Sequence, residues 1–158
     1  MISIREFCDG DAADAAVVYY ESFKTYLNEK ALRRSAGYWQ NAMKRFQSDE
    51  YDNISFVAVD TNQVIGCITI TAALRRGVGS LQRIGVLPEY AGKGIGRMLF
   101  STADRFWRER NMRKVFVSVS SNNPTAVNFY RSCGFEHEAT LKEHIFPGVD
   151  EYIMSIFY

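Results

Sequence analysis

Val86-Leu87-Pro88-Glu89-Tyr90-Ala91-Gly92-Lys93-Gly94-Ile95-Gly96-Arg97-Met98-Leu99 is the stretch on which the reading of this 158-residue chain turns. Before it, Ser80–Leu87 reads as a strand. After it, Ile95 to about Arg110 reads as a helix, with Ile95, Met98, Leu99, Thr102 and Phe106 at helical spacing. Three glycines at alternate positions join the two. Glycine takes positive φ at no steric cost and lets another molecule approach the backbone. The first N–H groups of a helix have no partner within it and attract phosphate. Together these features describe an anion cradle built from the amides of Gly92, Lys93, Gly94, Ile95, Gly96 and Arg97. A tight strand–helix connection that holds no ligand is the alternative. Two familiar phosphate fingerprints fail here. A dinucleotide G-x-G-x-x-G would need glycine where Arg97 stands, and a P-loop would need glycine at Leu87 and Ser or Thr at Gly94.

Outward from this turn, Ile2 and Ile4 begin a strand, and Asp11 is placed to cap a helix over Ala12 to about Phe23. That helix would present Ala16, Tyr19, Tyr20 and Phe23 on one face. A second helix is expected from about Ala31 to Phe46, with Trp39, Met43 and Phe46 as its apolar stripe. Lys24 to Asn28 forms the loop between them. Ile54–Val59 and Val64–Thr71 form a hairpin across Asp60-Thr61-Asn62-Gln63. Val115–Val119 is a short buried strand, and Pro124–Ser132 a short helix with proline in its first turn. Glu136–Lys142 and Asp150–Phe157 form a terminal strand pair. The order β-α-α-β-β-β-α-β-α-β-β implies an α/β chain of the α+β type, with a mixed, mostly antiparallel central sheet and helices on both faces. One domain over residues 1–158 is expected.

Composition narrows the function classes. Nineteen Lys and Arg against eighteen Asp and Glu leave a net charge of +1, which argues against a globally basic nucleic-acid binder. Hydrophobic residues at 47% are enough for a packed core. No apolar run approaches the ~18 residues of a membrane span, and Met1–Phe7 alternates without a signal-peptide layout. Cys8, Cys67 and Cys133 are odd in number and lack metal-ligand spacing, and His137 and His144 have no metal partners in sequence. Free thiols, a cytoplasmic location and no metal are expected. Arg105, Arg108, Arg110, Arg113 and Lys114 crowd the end of the third helix, where cations complement its dipole.

A second motif lies downstream: Asn123-Pro124-Thr125-Ala126-Val127-Asn128-Phe129-Tyr130-Arg131-Ser132-Cys133-Gly134-Phe135. With the glycine turn, it resembles the GCN5-related N-acetyltransferase (GNAT) superfamily. The family's pyrophosphate motif is matched at Gly94 and Gly96, preceded by Val86, Pro88 and Tyr90. Its later motif is matched at Asn123, Ala126, Tyr130, Gly134 and Phe135. In one departure, Ala91 stands where the family has Arg or Gln, which bears on cofactor affinity.

The resemblance implies an acyl-CoA N-acyltransferase-like fold and transfer of an acetyl group from acetyl-CoA to an amine. The acceptor would be a small molecule, a peptide or a protein; neither nucleic acid nor membrane is expected, and a homodimer is left open. The amides of Gly92–Arg97 would hold the pyrophosphate. Gly85, a poor strand residue, either marks a bulge or relieves packing. A bulge would free backbone groups of Ile84, Gly85 and Val86 for the pantetheine arm, one N–H at or near Val86 serving as oxyanion donor. Asn123 would bond the cofactor's amide arm with Ala126 beside it, or cap its helix. Tyr130 matches the family's general acid; a phenol with pKa near 10 suits protonation of a thiolate whose acid lies near 8–9. The alternative is a packed core tyrosine. No carboxylate occurs in Ser80–Ile84 to serve as base, which leaves Glu21, His144, Asp150, Glu151 or a water relay. The same gap is the argument for the other reading, a non-catalytic acyl-CoA-binding sensor or interaction module. Tyr26 and Tyr38 are placed at the acceptor entrance, and Cys133 is read as a packed thiol.

Overall fold

The computed structural model describes residues 1–26 and 34–158. Strands β1 (Ser3–Glu6), β3 (Tyr51–Asp60), β4 (Gln63–Ala73), β5 (Val78–Val86), β6 (Lys114–Ser120), β8 (Val149–Phe157) and β7 (Glu136–Phe146) pair in that spatial order, and β2 (Phe46–Gln47) pairs with β3. The helices are α1 (Ala12–Phe23), α2 (Ala36–Met43), α3 (Ile95–Glu109) and α4 (Pro124–Ser132). This is the expected mixed, mostly antiparallel sheet, and its one parallel pair among the described residues is β5–β6.

The parallel pair positions the site. Pairing runs from Val78–Lys114 to Leu81–Val117 and stops there, although β5 continues to Val86 and β6 to Ser120. Two causes meet at that point. The β4–β5 register slips between Thr69–Arg83 and Ile70–Leu81, so Gln82 is the extra residue of a bulge, and a bulge bends and twists its strand. The expected bulge at Gly85 is therefore corrected: Gly85 pairs regularly with Cys67. What Gly85 provides is room, because a Cβ there would stand 2.7 Å from Ser22 Oγ and 3.5 Å from the Tyr19 ring. Helix α1 can thus lie against the sheet where β5 leaves β6.

The sheet separates two helical layers. On one face α3 buries Ile95, Leu99, Phe100, Ala103, Phe106 and Trp107, the Ile, Leu and Phe side chains contributing about 1.5–3 kcal/mol each. Met98, expected on that stripe, is 39% exposed. Trp107 donates its indole N–H to Thr71 O at 2.9 Å, filling the space that Gly79 leaves. On the other face α1 buries Ala12, Ala15, Val18 and Tyr19. This is not the expected stripe, since Ala16, Tyr20 and Phe23 are only half-buried. Helix α2 is shorter than expected. Ser35 caps it by accepting from Tyr38 N at 3.2 Å, and Phe46 lies beyond it in β2, 56% exposed. Its expected start at Ala31, like Leu27 and Asn28 of the preceding loop, lies outside the described residues.

Local chemistry closes the remaining connections. Thr61 and Asn62 both take positive φ, as a two-residue hairpin turn matched to the sheet twist requires. Asp11 does not cap α1 with its side chain; its carboxylate accepts two bonds of 2.7 Å from Arg5 and one of 2.8 Å from Cys8 N. Three of the five residues of the basic cluster are in ion pairs: Arg110 with Asp52 at 2.8 Å, Arg108 with Asp104 at 2.8 Å and Lys114 with Glu138 at 2.5 Å. No helix among the described residues is long and apolar enough to cross a membrane.

Candidate active site

A cleft of about 580 Å3 opens where β5 and β6 part. The glycine turn forms one end. Leu87 N–H bonds Ile65 O at 2.9 Å, and Tyr90 O–H reaches Asp60 at 3.3 Å, which fixes Pro88–Tyr90 against the β3–β4 hairpin. Gly92 and Gly94 then take φ of +75° and +81°, and a Cβ on either would meet nothing within 4 Å. Both glycines are thus required by backbone conformation, and the space beside them is open. The first intrahelical bond of α3 runs from Met98 N to Gly94 O at 3.0 Å. The N–H groups of Ile95, Gly96 and Arg97 therefore have no carbonyl behind them. Gly96 lets α3 close on α4, since a Cβ there would be 3.2 Å from Phe129. Arg97 locks the same contact by donating to the Ser132 carbonyl and hydroxyl, each at 3.0 Å.

The open edge of β5 forms the floor. Because Leu87 N–H is spent on β4, strand alternation turns the N–H and C=O of Val86 and Ile84 the other way, toward the gap left by β6. The Ser22 hydroxyl, which donates to Val18 O at 2.7 Å within α1, shares that proton with Val86 O at 3.2 Å, tying α1 to this edge. The expected free N–H near Val86 is therefore available, supplied by the splay of the strands and not by a bulge at Gly85.

Helix α4 forms the far wall. Asn123 caps it, its Oδ1 accepting from Ala126 N at 3.1 Å, which leaves Nδ2 free to donate. Tyr130 is 6% exposed, packed edge-on against Phe129 and Phe135 at 5.5 and 5.6 Å. Burial first, and the neighbouring Cys133 second, push its phenol above the ordinary tyrosine value. A raised pKa keeps the proton on the phenol at neutral pH.

Of the residues singled out from sequence, Ile84, Gly85, Val86, Gly92, Gly94, Ile95, Gly96, Arg97, Asn123, Ala126 and Tyr130 all line this cleft. Lys93 does not: its ammonium lies 4.7 Å over the Tyr90 ring. Tyr26 lines the cleft, whereas Tyr38 packs edge-on against Trp39 outside it. Among the base candidates Glu21 lines the cleft, 2.6 Å from Lys24 Nζ. Glu151 is buried elsewhere between Ser118 and Ser120, Asp150 is paired with Lys142, and His144 is exposed on the β7–β8 hairpin. Ser22, Phe23, Thr125 and Phe129 also line the cleft and had no local signal in sequence. Among the described residues no three His, Cys, Asp or Glu gather as a metal site.

The acetyltransferase (GNAT) family pattern matches residues 18–135. An uncharacterized N-acetyltransferase of Archaeoglobus fulgidus is 30% identical over 135 residues, covering 83% of this chain and 90% of the relative. Another, from Methanocaldococcus jannaschii, is 28% identical over 150 residues, 89% of this chain, but the chain spans only 63% of that relative's length. The PaiA N-acetyltransferase of Thermoplasma acidophilum, solved in complex with coenzyme A, superposes with a TM-score of 0.76 at 21% identity, covering 100% of this chain and 99% of that one. With the matched pattern spanning the cleft and both motifs that line it, the chain belongs to the GNAT family of acetyltransferases.

Proposed function

We propose that this protein transfers an acetyl group from acetyl-CoA to a primary amine by direct attack within a ternary complex. One observation carries this reading: a single cleft gathers the unpaired amides of Ile95–Arg97, the open edge of β5 and a buried, protonated Tyr130. The amides and the positive-φ glycines fit a pyrophosphate. The pantetheine arm would lie along Ile84–Val86 and take a hydrogen bond from Asn123 Nδ2. The Val86 N–H would face the thioester oxygen as negative charge develops there.

In the transfer step the amine nitrogen bonds to the thioester carbon, and the carbon–sulfur bond breaks. The departing thiolate takes the Tyr130 proton. The proton lost by the amine passes to solvent or to Glu21, the one carboxylate on the cleft wall among the described residues. Burial keeps the Tyr130 phenol protonated at rest. It also makes delivery of that proton to a thiolate whose acid lies at about 8–9 less favourable than from an ordinary tyrosine, so the phenolate must be stabilised as the proton leaves.

A second reading, an acyl-CoA-binding sensor of the same fold, is favoured by β5, which carries no carboxylate. Free-thiol release from acetyl-CoA in a panel of amines, with mass detection of the acetylated product, separates the two. Amine-dependent thiol release supports the transferase; acetyl-CoA binding without product supports the sensor.

A further inference from the structure

We propose that Arg83 is the recognition site for a carboxylate on the acceptor, so that the substrate is an amino-carboxylic acid; this rests on the acetyl-transfer reading above. Arg83 follows the Gln82 bulge and pairs with Thr69, as Gly85 pairs with Cys67. Residues two apart on a strand share a face, so Arg83 and the cleft-lining Gly85 stand on the face covered by α1 and α2. There the guanidinium lies 5.3 Å from the Trp39 ring centroid and 5.9 Å from that of Tyr19. Those two rings are themselves stacked at 4.4 Å.

The polar balance of this cluster is unfilled. Arg83 Nη1 and Trp39 Nε1 are both buried and both lack a hydrogen-bond partner. Leaving a buried donor unpaired costs about 1–3 kcal/mol, and more for a charged group. Two such donors in one aromatic cluster, with no ion pair to Arg83 among the described residues, ask for an acceptor-rich anion. A guanidinium whose face is held by aromatic rings presents its N–H edge in a fixed fork, which matches a carboxylate in bidentate fashion. Its single positive charge balances a single negative one.

Distance favours a compact acceptor. At ~3.3 Å per residue, Arg83 and Gly85 lie about 7 Å apart along β5. The row of stacked rings continues from Tyr19 to Phe23 at 6.1 Å, and Phe23 lines the cleft. Arg83 itself is not among the residues that line the cleft, so a short amino acid anchored there by its carboxylate would enter past Phe23 and carry its amine toward the Val86 edge.

The test reads binding, not turnover. N-acetylglycine, N-acetylglycinamide and inorganic phosphate are titrated into the full chain while the fluorescence of Trp39 is followed, with Trp39→Phe as the signal control. N-acetylglycine should bind at least tenfold tighter than its carboxamide and tighter than phosphate. Arg83→Gln should erase that preference, and Arg83→Lys should restore it only in part, both variants keeping the parent affinity for CoA. Equal response to the acid and the amide, a preference that survives Arg83→Gln, or tighter binding of phosphate would each overturn the assignment. Retained CoA binding in the same samples separates such a failure from a failure of the acyl-CoA reading.

Discussion

Replacing Gly94 by alanine, with Gly148→Ala as comparator, separates the ligand role of the glycine turn from its backbone role. Both glycines take positive φ, +81° at Gly94 and +76° at Gly148, and a Cβ at either would meet nothing within 4 Å. Both substitutions therefore carry the same conformational penalty, about 1–2 kcal/mol for an L residue in the left-handed region. For a chain of this size that lowers the melting temperature by roughly 2–8 °C and leaves the fold intact. The environments differ. Gly94 borders the cleft at the start of α3, while Gly148 turns the distant β7–β8 hairpin, its N–H donating to Glu143 at 2.6 Å. A methyl group at Gly94 intrudes where a pyrophosphate must approach the amides of Ile95–Arg97. Calorimetric titration with CoA should show a loss of at least ~10-fold in affinity for Gly94→Ala, equivalent to about 1.4 kcal/mol, and no change for Gly148→Ala. Free ADP should compete less well than CoA in the parent protein. Parent-like CoA affinity in a folded Gly94→Ala protein, or an equal loss in Gly148→Ala, would refute the reasoning.

Other residues yield tests of their own. Asn123→Asp keeps the oxygen that caps α4 but removes Nδ2, so stability should hold while CoA affinity falls; Asn123→Ala should lose both, with a capping cost of about 0.5–2 kcal/mol. Chemical denaturation and calorimetry on the two variants check this. Gly79→Ala would set a Cβ 2.5 Å from the Trp107 indole nitrogen, and a rigid, hydrogen-bonded ring cannot step aside. A destabilisation of about 1–3 kcal/mol is expected from overpacking, read from the denaturation midpoint. Burial alone would raise the pKa of Asp11, but the Arg5 guanidinium and the Cys8 N–H outweigh it and hold the carboxyl below its usual value. A depressed folded-state pKa gives stability that is present above the unfolded value, near 3.9, and is lost as pH falls through the folded one. Asp11→Asn should therefore be less stable than the parent at pH 7, and the gap should narrow progressively below about pH 4; a gap that stays constant down to pH 2 would contradict the assignment.

The residues that could be read from sequence are those whose role is local. The Gly92–Gly96 turn and the Asn123–Phe135 segment carry backbone and capping signals within a dozen residues, and the structure brings both to one cleft. Pro124–Ser132 likewise begins at a proline and a capping asparagine, and its limits were legible. What depends on packing between distant segments was not. Helix α1 is apolar on nearly every side, so the sheet, not its own periodicity, selects Ala12, Ala15, Val18 and Tyr19 for burial. Phe46 fits the α2 stripe by spacing, but the chain leaves helical geometry at Lys44 to pair with β3. The bulge at Gln82 has no glycine to announce it, because the register of two strands creates it, whereas Gly85 answers to Ser22 on another element. Arg83 and Trp39 meet only through the tertiary fold, and nothing in either's neighbours signals the contact.

Tyr130→Phe measures the central claim most directly. The substitution keeps the ring against Phe129 and Phe135 and removes only the proton donor. With an amine acceptor and acetyl-CoA, and with chemistry rate-limiting, turnover should fall by ~10²-fold or more while acetyl-CoA affinity stays at the parent value. The loss should shrink for thioesters of more acidic thiols. Turnover at the parent rate on acetyl-CoA would make Tyr130 a packing residue and contradict its role as the acid.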